Sequence, residues 1–407
     1  MQLIAKKGVK LFRDFYIDMD IKAPFLPKTV KLPTAHGGEA VVFQKTIGDK
    51  IQKYDVIATL KNDIPVYSPC SGYLRGICIG PDLGEISGMQ YAVIEPLADS
   101  TPAFPLWETG VDASRRQLLE IIKKAAIINE ITKEYLYYSI SPSAEYHSLL
   151  IDGVDEQPYD LSATATLLNY QNEVFAGARI AAAALGIADI GLLLMKNFRT
   201  APLFRQKADG IKRIAVKGKY PAFPMLEQYA HNTGALRLGA QSCRAIYRAV
   251  FFGEPQLSHV VTVWGEGVEE PANREVMDGT PIEELLKACG AVGILERVIG
   301  GGVMLGYTAA PSYPLFRWDG SLTAMTLKKH HKTVGCINCG RCAMVCPMGL
   351  APYYILRSSR RRGERRAKQI CGGMCVFCGA CSYVCPARIP LTDRIREYND
   401  ELKGEGV

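Results

Sequence analysis

Eight cysteines near the C-terminus fall into two runs of one spacing: Cys336, Cys339, Cys342 and Cys346 followed by Pro347, and Cys375, Cys378, Cys381 and Cys385 followed by Pro386. Each reads C-x2-C-x2-C-x3-C-P. Thiolates are soft ligands that suit iron. Spacings of two let one short loop present three sulfurs to one cubane; the fourth cysteine crosses to the other cubane, and the proline turns the chain away. The spacing therefore assigns Cys336, Cys339, Cys342 and Cys385 to one [4Fe–4S] cluster, and Cys375, Cys378, Cys381 and Cys346 to a second. Structural zinc normally takes two C-x2-C pairs separated by a loop, without a third cysteine and a Cys-Pro. A disulfide framework requires a secreted chain. The expected chemistry is one-electron transfer.

The elements that must hold these cysteines belong to a chain of 407 residues with 48% hydrophobic side chains, enough for about three domains and a sizeable core. Met1 to Phe15 lacks the apolar core of a signal peptide. The most apolar stretch, Phe175 to Met195, is interrupted by Arg179 and Asp189 and reads as a buried helix followed by a strand, not a membrane span. With thirteen cysteines and no export signal, a reducing cytoplasm and an anaerobic setting are expected, with peripheral membrane association only through a larger complex. Cys70, Cys78, Cys243 and Cys289 read as small core residues, and Cys371 as a spare beside a complete run. The net charge of +7 is concentrated in Arg357 to Lys368, which holds seven basic residues and one acid. That run is either a solvated face or a docking patch for an acidic redox partner. No nucleic-acid reading module accompanies it.

Four segments are expected. Residues 1–100 carry short strands punctuated by Gly and Pro, as in Ile47-Gly48-Asp49-Lys50-Ile51 and Ser71-Gly72-Tyr73-Leu74, and resemble a lipoyl/biotinyl-type β hammerhead. The hairpin at Lys61 to Pro65 lacks the Met-Lys signature of a swinging arm. In 101–255, strands alternate with helices, at about 113–132, 162–185, 224–232 and 241–251, which argues for an α/β layer with a mostly parallel sheet. In 256–322, short strands surround one helix, with Thr280 placed to cap it and Pro281 in its first turn, suggesting a β-grasp. Gly300-Gly301-Gly302 lacks G-x-G-x-x-G spacing and reads as a tight turn. Residues 323–407 form the two-cluster ferredoxin-like α domain and end in a charged helix.

The ordered set resembles the C subunit of the Rnf ferredoxin:NAD⁺ electron-transport complex, with the microcompartment cobalamin reductase and the A subunit of the sodium-pumping NADH:quinone reductase as relatives. It rests on Leu150-Ile151-Asp152-Gly153 with Pro158-Tyr159, Val216-Lys217-Gly218-Lys219-Tyr220-Pro221, Ala245-Ile246-Tyr247-Arg248-Ala249-Val250, Val261-Thr262-Val263, Gly279-Thr280-Pro281, Gly301-Gly302-Val303-Met304-Leu305-Gly306 and Cys381-Ser382-Tyr383-Val384-Cys385-Pro386. The resemblance implies an α/β domain like the flavin subunit of respiratory complex I, which holds FMN and takes hydride from NADH, and an SLBB-like β-grasp.

Four departures fall in the implied flavin pocket. The family's Gly-Gly-Ala-Gly-Phe-Pro loop is replaced by the glycine-free segment Ala125 to Glu134, where residues with negative φ are expected. The family's Asn-Gly-Ala-Glu-Cys-Glu-Pro-Tyr becomes Asp152 to Tyr159, with Gln157 in place of a carboxylate. Leu194-Met195-Lys196-Asn197 lacks the family's two acids, and Lys219 to Pro224 lacks two of its glycines. The expectation is an iron–sulfur electron relay without FMN or NADH, exchanging single electrons with a flavoprotein or ferredoxin, alone or in a larger oxidoreductase complex. The alternatives are an FMN-dependent NADH dehydrogenase subunit of Rnf or cobalamin-reductase type, and an adaptor stapled by its clusters.

Overall fold

Near-continuous apolar runs, Leu149-Leu150-Ile151 and Leu192-Leu193-Leu194, have the composition of strands covered on both faces. In the computed structural model they form the centre of a five-stranded, all-parallel sheet. Its order is Gln2–Ala5, Ile211–Gly218, Asp189–Met195, Ser148–Gly153, Ala235–Gly239. Helices Arg115–Lys124, Gln171–Leu185 and Ala240–Phe252 cover one face, and Phe223–Thr233 the other. Successive strands run outward from Ser148–Gly153 on one side, and Ala235–Gly239 then lies on its other side. The crevice beyond the carboxyl ends of these two strands is therefore the topological switch point, where doubly wound sheets hold nucleotides.

The structure describes residues 1–11, 16–35, 41–60, 63–80, 88–98, 105–107, 113–140, 145–205, 210–326, 332–359 and 374–404. Of the basic run only Arg357 is described; Arg360, Arg361, Arg362, Arg365, Arg366 and Lys368, with Cys371 and the hairpin tip Lys61-Asn62, lie outside the described residues.

Two small sheets form the first β unit. Val30–Ala35, Gln90–Pro96, Gly72–Ile79 and Lys50–Ile51 make one, and Val42–Phe43, Val56–Thr59 and Pro65–Tyr67 the other. Val30, Leu32, Ile51, Ile57, Ile64, Val66, Leu74 and Ile94 interlock between them. A six-stranded mixed sheet follows, centred on Ser258–Trp264, which runs parallel to Ser321–Thr326 and antiparallel to Ala272–Met277. Val261, Val263, Leu322 and Ala324 bury against the single helix Ile282–Ala288.

Several expectations change. Two N-terminal strands do not stay with the first unit: Gln2–Ala5 closes the open edge of the parallel sheet, and Ile21–Lys22 pairs with Ala272–Met277. Edge strands offer unpaired N–H and C=O groups that such segments satisfy. The helix expected over 113–132 stops at Lys124, because Ala126 turns the chain in the left-handed region at φ 49°. The helix expected over 162–185 is two, Ser162–Asn169 and Gln171–Leu185. Tyr170 breaks it, and its ring carries the Arg244 guanidinium at 3.7 Å. Thr280 does not cap the next helix. Pro281 is its N-cap, and the carbonyls of Tyr313 and Pro311 accept the N–H groups of Ile282 and Glu283 at 2.9 and 2.8 Å.

Candidate functional site

The repeated cysteine spacing produces a repeated backbone. Asn338 and Phe377, one residue before the second cysteine of each run, both lie in the left-handed region, at φ 55° and 48°. Gly340 and Gly379, one residue after it, do so too, at φ 73° and 77°, and each starts a short helix, Arg341–Val345 or Ala380–Tyr383. Left-handed non-glycine residues cost of order 1–2 kcal/mol each, so both loops are held in shape by what surrounds them.

The two helices bring the runs together so that the fourth cysteine of each crosses. Cys336, Cys339, Cys342 and Cys385 line one cavity of about 190 Å³. Cys375, Cys378, Cys381 and Cys346 line a second, narrower one. No three described His, Cys, Asp or Glu side chains converge on a single-ion site. Four thiols spread around a cavity suit a multi-iron cube, in which each iron takes one cysteine sulfur, better than one zinc ion. Donors already face the sulfurs: Asn338 N–H donates to Cys336 Sγ at 3.4 Å, Leu350 N–H donates to Cys346 Sγ at 3.3 Å, and Thr392 Oγ1 lies 3.4 Å from Cys381 Sγ.

The two sets differ in surroundings. The first is the outer one, with Cys339 exposed and Val334, Ile337, Met344 and Tyr354 presenting apolar side chains to solvent nearby. In the second, Cys346 and Cys378 are buried, and Cys378 packs with Val9, Tyr220 and Ala380 against the body of the protein. Burial pushes the Cys378 thiol up to about 12 and raises Cys375 and Cys381 as well. Cys70, Cys243 and Cys289 are core residues as expected, and Cys78 is half-buried.

At the switch point the chain fills its own crevice. Ile128–Asn129 and Glu134–Tyr135 form a hairpin, with Ala125, Ala126, Ile127, Ile128 and Asn129 all buried. Contrary to expectation, the segment holds two left-handed residues, Ala126 and Lys133 at φ 63°. The hairpin turn places Glu130 against the start of helix Ala240–Phe252. Its carboxylate accepts from the N–H groups of Gln241 at 2.8 Å and Ser242 at 3.1 Å, and from the Ser242 hydroxyl. Only glycine fits at Gly239, because a Cβ there would lie 1.9 Å from the Glu130 carboxyl carbon.

The neighbouring helix starts are treated likewise. Asp155 accepts from Ala163 and Thr164 N–H, both at 3.0 Å, at the start of helix Ser162–Asn169. Glu156 accepts from Ala222 and Phe223 N–H at 2.7 and 3.1 Å, at the start of helix Phe223–Thr233. Burial raises all three carboxyls, Glu156 to about 7. Asp152 forms a buried ion pair with Arg237, and Tyr159 stacks on Trp264 at 3.8 Å. The Gly301 turn is tight, with both Gly301 and Gly302 left-handed, and Gly302 abuts Gln157. Glu130 was missed by sequence reasoning; a lone glycine before a helix, at Gly239, was the available signal.

Residues 335–389 match the 4Fe-4S dicluster domain family. The chain is 29% identical over 374 residues to the C subunit of the ion-translocating oxidoreductase complex of Rhodobacter capsulatus, spanning 83% of this chain and 71% of that protein. It is 25% identical over 340 residues to the C subunit of the proton-translocating ferredoxin:NAD(+) oxidoreductase complex of Clostridium ljungdahlii, spanning 76% and 73%. These are curated homologues of the Rnf C-subunit type, as the sequence motifs imply. The match to the corresponding ion-translocating C subunit of Pseudomonas aeruginosa, 28% identical over 53% of this chain, spans only 30% of that protein. A solved NAD+-reducing [NiFe]-hydrogenase in the air-oxidized state superposes over 75% of this chain and 57% of its own at 14% identity and a TM-score of 0.45. Among the described residues no helix is long and apolar enough to cross a membrane.

Proposed function

We propose that this chain is the iron–sulfur electron-transfer subunit of an Rnf-like oxidoreductase complex, and that it works without FMN or NADH of its own. Each [4Fe–4S] cluster, when bound, takes up and releases one electron. Cys336, Cys339, Cys342 and Cys385 would hold the outer cluster, and Cys375, Cys378, Cys381 and Cys346 the inner one. The left-handed Asn338, Phe377, Gly340 and Gly379 point each loop's cysteines inward, and the N–H donors on Cys336 and Cys346 compensate thiolate charge. The exposed outer set would meet a protein partner, such as a flavoprotein or ferredoxin. Such a complex would lie on the cytoplasmic face of a membrane.

The observation that carries the FMN-free reading is the closed switch point. A flavin phosphate needs free N–H groups at a helix start and clear space for its ring. Here Glu130, Asp155 and Glu156 already accept those N–H groups, so a flavin phosphate would have to displace one of the chain's own side chains at each helix start. The hairpin side chains Ile127 and Ile128 are buried where space would be required.

Anaerobic purification followed by iron, sulfide and flavin analysis tests this. About eight irons and eight sulfides per chain are expected, if two cubanes form, with no stoichiometric FMN and no bleaching of the clusters by NADH. Stoichiometric FMN released on denaturation, or fast NADH-dependent bleaching, would restore the FMN-dependent NADH dehydrogenase. Stoichiometric zinc without acid-labile sulfide would remove the electron-transfer reading altogether.

A further inference from the structure

We infer that Tyr220, oriented by Gln157, is a positioning residue that tunes the inner metal centre from outside the cysteine domain. The inference rests on the reading above, because it concerns residues that face the Cys346, Cys375, Cys378 and Cys381 set.

Three hydrogen bonds run in one direction across three parts of the fold. Met304 N–H, from the loop after Gly302, donates to Gln157 Oε1 at 3.2 Å. Gln157 Nε2 donates to the Tyr220 hydroxyl oxygen at 3.3 Å. Tyr220 O–H donates to the main-chain carbonyl of Cys378 at 2.7 Å. Gln157, Tyr220 and Cys378 are all at least nine-tenths buried, at 9%, 2% and 8% exposure.

The polarity of the chain is forced. A main-chain N–H can only donate, so Met304 fixes which end of the Gln157 amide faces it. The other end must then donate to Tyr220, leaving the phenol one partner for its own proton, the Cys378 carbonyl. Glycine permits the approach on both sides: a Cβ at Gly302 would lie 2.7 Å from Gln157 Cγ, and one at Gly379 would lie 2.8 Å from the Met304 carbonyl oxygen.

The consequence is electrostatic. The Tyr220 O–H dipole turns its positive end toward the peptide of a cysteine ligand in a dry site, where such dipoles act strongly. An electron added to a thiolate-held centre increases its negative charge, and donors near the ligands stabilise that state and raise the potential. Gln157 acts at one remove, by denying the phenol any alternative acceptor.

The test uses full-length protein, prepared anaerobically, with Tyr220→Phe and Gln157→Glu. The carboxylate still accepts from Met304 but offers Tyr220 an acceptor, drawing the proton off Cys378 while leaving the ring in place. The measurement is a redox titration followed by paramagnetic resonance, with iron content determined alongside. In both variants one of the two midpoints should fall, by about tenfold in the one-electron equilibrium (about 59 mV), while the other stays within twofold. Two unchanged midpoints overturn the inference. Equal shifts in both reveal general loosening and also overturn it. Loss of half the iron in both variants makes the contact a fastening only, again against tuning. Wild-type protein lacking the eight irons fails the function proposed above and takes this inference with it. Loaded wild-type protein with unshifted variants fails this inference alone.

Discussion

Replacing Glu130 by alanine should release the start of helix Ala240–Phe252. The carboxylate accepts from two main-chain N–H groups, at 2.8 and 3.1 Å, and from the Ser242 hydroxyl. A helix cap is worth about 1 kcal/mol, and a buried N–H left without a partner costs about 1–3 kcal/mol. Against that, burial raises the carboxyl, so its ionised form already bears a desolvation cost. The two effects leave a net loss of about 2–3 kcal/mol. Hydrogen exchange read on peptides covering the first turn isolates the local effect from the other domains. Protection of the Gln241 and Ser242 amides should fall by about 30- to 150-fold. Inorganic phosphate should then restore part of it, since a freed helix start attracts anions, and should do nothing to the wild type. Protection within threefold of wild type, or equal phosphate protection of both proteins, would refute the self-capped switch point.

Two further outcomes follow from the same geometry. Cys346→Ser should damage the same cluster as Cys378→Ser, and Cys385→Ser the same cluster as Cys342→Ser, each keeping about half of the iron; pairing of Cys346→Ser with Cys342→Ser in the resonance spectrum would restore ligation within each run. Burial raises the Glu156 carboxyl from 4.5 to about 7, so the folded protein holds a proton that the unfolded chain releases between those values. Its contribution to stability is complete below pH 4.5 and is lost as pH rises through 7. Glu156→Gln should flatten the stability profile by about 2 kcal/mol between pH 5 and pH 8, and an unchanged slope in urea unfolding would contradict it.

The cysteine chemistry was legible because it is local. Cysteine spacing and the proline after each run lie within short windows, and the structure groups Cys385 with the first run and Cys346 with the second around the two cavities. The parallel sheet was legible because strands alternate with helices along the chain, a pattern read from local segments. What escaped was set by distant partners. Glu130 meets Ser242, 112 positions away, and a carboxylate in a glycine-free loop reads as a solvated charge until the fold closes. Thr280 had the residue type and place of a cap, but carbonyls from Pro311 and Tyr313 took that role. Ala126 adopts left-handed backbone without glycine where it packs into the core, and exposed Lys133 does so at the hairpin turn, where its N–H donates to the Asn129 carbonyl at 2.8 Å.

On the proposed function, the α/β layer keeps a nucleotide-type topology, and physical chemistry explains what its crevice must do instead. A sheet of this kind aims helix starts, each with unpaired N–H groups, at one edge. Left bare in a dry crevice, those groups would destabilise the fold. An anionic ligand can satisfy them, and so can carboxylates of the chain. Asp155, Glu156 and Glu130 do the latter at three helix starts, each with two main-chain N–H bonds. This solution has a property that a bound ligand lacks: it is always present. The segment carrying Asp155 and Glu156 also carries Gln157, which orients Tyr220 toward Cys378. Fixing that segment at two helix starts therefore fixes the platform on which the inner cysteine loop is seated. The layer then serves electron transfer by holding a loop still, and its rigidity does not depend on the supply of a cofactor.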